Sequence, residues 1–269
     1  MSQYRKAHIW TVDKLDFLEA YIPQFQLATK SALNTYYVDG FAGEGINQIE
    51  LQQRNGSPLI ALNTDKPFSG YYFIEKKKRA YQALEERIQR HPLAERVTLY
   101  NDDFNHITGE ILPKIPSRAP TFFFLDPEGL ELEWNSVVQI SKRTKADIFV
   151  LVSASGVTRN IDLNTTHETI TRFFGDVAWK DELTKFEKGL FPPQTKKFEV
   201  FTNLYVQRLN LLGFQHVDHF LIAKNSKNAS LHALIFAIKS DKPSAALKIA
   251  NKVLQNIKAR NQISLFKPE

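Results

Sequence analysis

The stretch Tyr36-Tyr37-Val38-Asp39-Gly40-Phe41-Ala42-Gly43-Glu44-Gly45 is an apolar, β-prone run that breaks abruptly into three glycines. A strand ending in such a loop brings bare backbone N–H groups against a nucleotide-like ligand, because side chains there would hold the ligand off. Dinucleotides and S-adenosylmethionine are the usual ligands of this turn, although an ordinary tight loop has the same local sequence. Order along the chain raises the ligand reading. Two apolar runs downstream, Tyr71-Tyr72-Phe73-Ile74-Glu75 and Thr121-Phe122-Phe123-Phe124-Leu125-Asp126-Pro127, also end in acids. Three acid-bearing strand ends on one edge of a parallel sheet describe a binding crevice.

Working outward, residues 11–25 carry Val12, Leu15, Leu18, Tyr21 and Ile22 at helical spacing, with Thr11 as cap and Pro23 near the end. Strands are expected at 36–39, 70–75, 97–100, 121–125 and 147–152. Helices alternate with them: one near 57–62 with Ser57 as cap and Pro58 in the first position, one over 76–91, and a short one near 107–112. The strands read as continuous apolar runs, the mark of a parallel sheet covered on both faces. A late antiparallel hairpin, 215–223 and 231–238, turns through Asn225-Ser226-Lys227-Asn228, and an amphipathic helix follows over 245–258. Residues 161–212 are helical and aromatic-rich and exceed what a crossover needs, so they read as a helical insertion within a single domain spanning 1–269. The fold class is α/β: a mostly parallel, doubly wound sheet with a C-terminal antiparallel hairpin.

With 269 residues, 43% of them hydrophobic, the chain can bury a full core. It has no cysteine, hence no disulfide framework and no thiolate metal site or nucleophile. Its seven histidines form no metal-binding motif, and His216 and His219 fall on opposite faces of a strand, so no metal site is expected. The polar N-terminus lacks a signal-type apolar segment and no apolar run approaches the ~20 residues of a membrane span, which reads as a soluble cytoplasmic protein. A net charge of +6 permits a nucleic-acid partner without demanding one. The densest basic run, Lys76-Lys77-Lys78-Arg79, fits a solvated first helical turn or a phosphate contact.

Strand ends of this kind suit an adenosine ligand. Glu75 can accept from both ribose hydroxyls. It lies 36 positions after Asp39, beyond the usual ~20, which an insertion around 46–55 explains. Asp103 or Asp102 can accept from the adenine amino group, with Phe104 against the ring, and Asp126 faces the reactive end. The spacing Gly40-x-x-Gly43-x-Gly45 reverses the nicotinamide fingerprint and suits the methyl donor better. Glu128 is a candidate base or amine-binding group, and equally an exposed turn residue.

Several separated motifs then resemble one family. Tyr37-Val38-Asp39-Gly40-Phe41-Ala42-Gly43-x-Gly45, Gly56-Ser57-Pro58-Leu59-Ile60-Ala61-Leu62, Phe73-Ile74-Glu75, Phe124-Leu125-Asp126-Pro127-x-Gly129, Arg159-Asn160 and Phe173-Phe174-Gly175-Asp176-x-x-Trp179 resemble the three-Cys-motif partner proteins, over about residues 10–238. The resemblance implies a Rossmann-like class I S-adenosylmethionine-dependent methyltransferase fold, S-adenosylmethionine as cofactor, and a partner protein carrying three cysteines, of iron–sulfur or radical type. It also implies that Asp39, Gly40, Phe41, Ala42, Gly43 and Gly45 surround the methionine part, Glu75 the ribose, Asp103 and Phe104 the adenine, and Asp126 the methyl-transfer side. Adenine amino-methyltransferases carry Asp/Asn-Pro-Pro-Tyr/Phe at the fourth strand. This chain has Asp126-Pro127-Glu128-Gly129, lacking the second proline and the stacking aromatic. Two functions follow: methyl transfer to a nitrogen or oxygen nucleophile, with Asp126 and Glu128 as catalytic candidates, or a ligand-binding scaffold without turnover.

Overall fold

The computed structural model describes residues 5–7, 9–49, 52–224, 230–239 and 255. The expected hairpin turn 225–228 lies outside them, as does the helix 245–258 except for residue 255. The chain opens with β1 (Arg5–Ala7), α1 (Ile9–Ala28) and β2 (Tyr36–Asp39), and then forms β3 (Ile46–Ile49) and β4 (Gln52–Asn55). There follow α2 (Ser57–Leu62), β5 (Gly70–Ile74), α3 (Lys78–Ile88), β6 (Val97–Tyr100), α4 (Phe104–Ile111), β7 (Thr121–Leu125), α5 (Trp134–Ser141) and β8 (Ala146–Val152). Four helices, α6 (Ala154–Asn160), α7 (His167–Phe174), α8 (Ala178–Glu187) and α9 (Lys197–Leu211), lead to the hairpin of β9 (His216–Lys224) and β10 (Ser230–Ile238).

The main sheet has the order β6-β5-β2-β7-β8-β10-β9, parallel through β8 and antiparallel in its last two strands. Renumbered along the chain this reads 3-2-1-4-5-7-6, the Rossmann-like class I methyltransferase architecture expected from the sequence. Its inner parallel strands β2, β5, β7 and β8 are buried on both faces, as their unbroken apolar runs require. Tyr37, Phe122, Phe124, Phe149 and Phe236 point to the layer of α1–α3, whereas Val38, Phe123, Leu125, Ile148 and Ile235 point to the layer of α4–α9. The first layer is aromatic: Phe149 stacks between Phe17 at 4.6 Å and Phe124 at 5.1 Å, fixing α1 over the middle of the sheet.

Two local expectations change. α1 begins at Ile9, so Thr11 lies inside it rather than capping it, and it continues past Pro23 to Ala28. Aromatic packing along the helix outweighs the one hydrogen bond that a proline removes. Gly56, not Ser57, caps α2. The insertion at 46–55 is a β-hairpin that joins β1 in a small second sheet.

Residues 161–212 hold α7, α8 and α9, and most of their aromatics are core: Phe173, Phe174 and Trp179 are fully buried, whereas Phe186 and Phe191 are half-buried. Trp134 is core too, edge-on to Tyr205 at 5.1 Å and under the Arg208 guanidinium. Among the described residues no helix is long and apolar enough to cross a membrane.

Candidate functional site

Strand register sets the height of each acid at the C-terminal edge of the sheet. Asp39 is level with Phe73 of β5 and Phe124 of β7, and Phe73 is level with Leu99 of β6. Glu75 and Asp126 therefore lie two residues beyond the point where β2 has already turned into its glycine loop. They overhang the loop, while Asp39 lies beneath it. The chain crosses from the β5–β6 side to β7 at this place, the topological switch point at which open α/β sheets bind ligands. A crevice of about 170 Å³ opens there, lined by Gly40, Phe41, Gly43, Glu75, Asp103, Phe104, Asp126 and Glu128, together with Glu44, Lys76, Lys77, Ala80, Asp102 and Glu131.

Glu75 is buried and clamps the loop. Its Oε2 accepts from the Gly43 N–H at 2.8 Å and its Oε1 from the Lys77 N–H at 2.7 Å. A carboxylate has about four acceptor sites, so each oxygen keeps capacity for a ligand hydroxyl.

Three further loop amides are engaged within the protein: Gly40 N–H donates to Phe124 O, Ala42 N–H to Ile74 O, and Phe41 N–H to Asp39 Oδ1. The expectation of bare N–H groups is therefore not met at Gly40, Phe41, Ala42 and Gly43. The sheet's own acceptors hold this part of the loop down, so the crevice is walled there chiefly by side chains. Gly40 is required for close packing, since a Cβ would stand 2.9 Å from Leu125 and 3.0 Å from Phe104. Gly43 and Gly45 adopt φ of 65° and 82°, the left-handed region that favours glycine. Gly56 N–H donates to Gly45 O at 2.7 Å, closing the inserted hairpin at its base.

Asp39 has no solvent exposure and does not line the crevice. Burial pushes its carboxyl up to about 7, against the opposing hydrogen bonds from Ser57 and Phe41, while the nearby Asp126 charge adds to the rise. Ser57 is thus turned inward to Asp39 rather than capping its helix. Ala42 and Gly45 face a smaller hollow of about 30 Å³ between the loop and α1. Asp126 reaches both hollows and makes an ion pair with Lys14 of α1, both side chains being nearly buried. Sequence reading missed Lys14, although the signal was present: it occupies the seam position that continues through Leu18, Tyr21 and Phe25.

Asp103 is the N-cap of α4, accepting from Asn105 N–H at 2.9 Å, and it pairs with Lys76 at 2.8 Å. Burial raises its carboxyl, but the Lys76 ammonium and the Asn105 donors outweigh this and hold it below the usual carboxylate range. Phe104 begins the helix, buried, 5.8 Å from Phe41. Glu128 is exposed on the rim and pairs with Lys77 at 2.7 Å. Burial, with the charge of Glu128 nearby, raises the Glu131 carboxyl. Seven carboxylates against two lysines line the crevice, so it favours a cationic ligand.

No family model and no curated protein sequence matches the chain. Among solved structures, a Legionella pneumophila str. Philadelphia 1 protein described by the family model DUF519 superposes with a TM-score of 0.58 at 13% identity, over 92% of this chain and 91% of that one. The likeness is one of fold. An AdoMet complex of M. jannaschii TYW2 gives a TM-score of 0.43 at 15% identity, covering 86% and 75% of the two chains. The METTL16 MTase domain gives 0.48 at 8%, covering 85% and 83%.

Two outcomes follow from the site's electrostatics. Lys14→Met leaves the Asp126 charge buried and uncompensated, so it costs about 3 kcal/mol of unfolding free energy, and Lys14→Met with Asp126→Asn recovers most of it. Urea denaturation of the four proteins in the cycle measures the coupling, and simple additivity contradicts the buried pair. For Asp39, a native carboxyl near 7 against ~3.9 unfolded makes its contribution full below about pH 4 and lost as pH rises to about 7. Asp39→Asn cannot titrate, so its stability relative to the natural protein rises between pH 4.5 and 7, by at most roughly 1.4 kcal/mol per unit, and levels off above. A difference independent of pH contradicts this.

Proposed function

We propose that the crevice binds S-adenosylmethionine and that the protein is a methyltransferase acting on a nitrogen or oxygen nucleophile. The observation that carries this reading is the convergence of Glu75, Asp103, Phe104 and Asp126 around the glycine loop at the switch point of the sheet. The residues fit the group. A carboxylate-rich crevice complements a sulfonium and an ammonium, the spare acceptor sites of Glu75 match a ribose diol, and the Phe104 ring lines the side assigned to the base. Lys14, facing the small hollow beside Gly43 and Gly45, is placed to meet a methionine carboxylate. The bound donor supplies an electrophilic methyl group. The protein's part is positioning: Asp126, rigidified by Lys14, orients the nucleophile, and Glu128 on the rim is available to a cationic or amine-bearing acceptor.

The same motifs support membership among the three-Cys-motif partner proteins, with a three-cysteine protein of iron–sulfur or radical type as partner in the cytoplasm. Nucleic acid is a further candidate acceptor. A second reading, a donor-binding scaffold without turnover, is favoured by one observation. Asp126 is committed to Lys14 and Glu128 to Lys77, and Glu128 and Gly129 stand where the adenine enzymes carry a proline and a stacking aromatic.

Thermal unfolding with S-adenosylmethionine, S-adenosylhomocysteine and NAD discriminates among the ligand classes. At one hundred times the dissociation constant a ligand adds about 2.7 kcal/mol, a rise of roughly 5–10 °C for a chain of this size. The two adenosyl ligands raise the midpoint, NAD leaves it in place, and Glu75→Ala abolishes the shift. A shift with NAD alone, or with none of the three, overturns the proposal. Transfer of a labelled methyl group to RNA, DNA or cell extract separates the enzyme from the scaffold.

A further inference from the structure

Beside the donor crevice lies a second hollow of about 450 Å³, walled by the β7–α5 loop, the end of α6 and the face of α7. It shares Lys76, Asp103 and Glu131 with the crevice, so one layer of side chains separates the two. Its electrostatic character differs. The crevice is strongly acidic, whereas three cations, Lys76, Arg159 and Arg172, balance three carboxylates here. Its floor is open backbone: Gly129 has φ 70° and nothing lies within 4 Å of where its Cβ would stand. A ligand can approach that peptide closely, as it could not past a side chain. The Arg159-Asn160 motif, which the donor site leaves without a role, forms part of the wall.

We propose that this hollow is the acceptor site and that Arg159 and Arg172 hold a phosphate group of the molecule to be methylated. The proposal rests on the methyl-donor reading of the crevice. Planar guanidinium forks bind phosphate with paired, directional hydrogen bonds. Arg172 is held by Glu168 at 2.7 Å and, through Nε, by Glu133 at 3.5 Å. Both are solvent-exposed pairs of the kind that contribute little, so a phosphate can displace them. With the phosphate fixed there, the nucleophilic nitrogen or oxygen of the acceptor reaches past Glu131 towards Asp126. Its lone pair forms the new bond to the methyl carbon, the carbon–sulfur pair returns to sulfur to give S-adenosylhomocysteine, and the displaced proton leaves to water.

Fluorescence anisotropy of labelled short single-stranded RNA and DNA on the full chain, with S-adenosylhomocysteine present, tests this. Competition by adenosine monophosphate and by adenosine separates a small phosphate ester from a polynucleotide as the source. The expected result is binding that Arg159→Gln and Arg172→Gln each weaken about tenfold. For a polynucleotide each substitution also flattens the salt dependence by about 0.7 in log–log slope. Adenosine fails to compete, and Glu133→Gln, which removes one of the two carboxylates on Arg172, tightens binding severalfold. S-adenosylhomocysteine affinity stays within twofold in all three variants. Adenosine monophosphate bound in place of the polynucleotides, with the same arginine dependence, supports the phosphate site with a small acceptor. Retention of S-adenosylhomocysteine binding with no phosphate ligand bound, or with binding indifferent to both arginines, overturns the acceptor site and leaves the donor reading intact. Failure of S-adenosylhomocysteine itself to bind overturns both.

Discussion

One buried carboxylate organises the edge of this sheet. Glu75 accepts from the Gly43 amide on one side and the Lys77 amide on the other, so the loop leaving β2 and the start of α3 are held to the end of β5 through a single group. A charged acceptor suits this position, because amide donors to an ionised group form short, strong bonds. The clamp fixes the loop in the shape that its left-handed glycines allow. A ligand hydroxyl arriving at Glu75 meets acceptor geometry already set by the fold, so little ordering remains to oppose binding.

The same edge holds three further carboxylates in different states. Asp39 sits under the loop, near the balance point between its charged and neutral forms. Asp126, one strand away, shares its charge with Lys14, and Asp103 is divided between a helix terminus and Lys76. Parallel strands deliver these acids to one edge, and their different heights in register distribute the work: the deepest supports the loop, and those further out face the crevice. Asp39 is thus a member of the motif without being part of the binding surface.

Much of this was legible in the sequence. The five parallel strands stand out as β-prone runs, most of them apolar and aromatic, and the acids at three of their ends point to the crevice. What the sequence could not supply was long-range pairing. Lys14 and Asp126 are 112 positions apart, and a lysine in a helical apolar seam reads as a surface residue until the partner is known. Asp103 reads as a ligand contact, and the structure gives it two places at once: it lines the crevice and it is the N-cap of α4, the ordinary role of such a residue just before a helix. Ser57 was misplaced for the converse reason: a serine before proline reads as a cap, yet an inward-facing hydroxyl near a buried carboxylate finds a stronger acceptor. The insertion over residues 46–55 is legible from spacing alone, but its hairpin is not, because its polar strands pair with each other and with β1 instead of the main sheet.

The central claim is that Glu75, held by the loop it clamps, is the ribose-recognising group of an adenosyl crevice. A crystal structure of the complex with S-adenosylhomocysteine tests it most directly. The account predicts the ribose diol on the Glu75 carboxylate, the base beside Phe104 and the sulfur towards Asp126, with the Gly43 and Lys77 amides still donating to Glu75. An adenosyl group bound elsewhere, or bound here with its ribose away from Glu75, would contradict it.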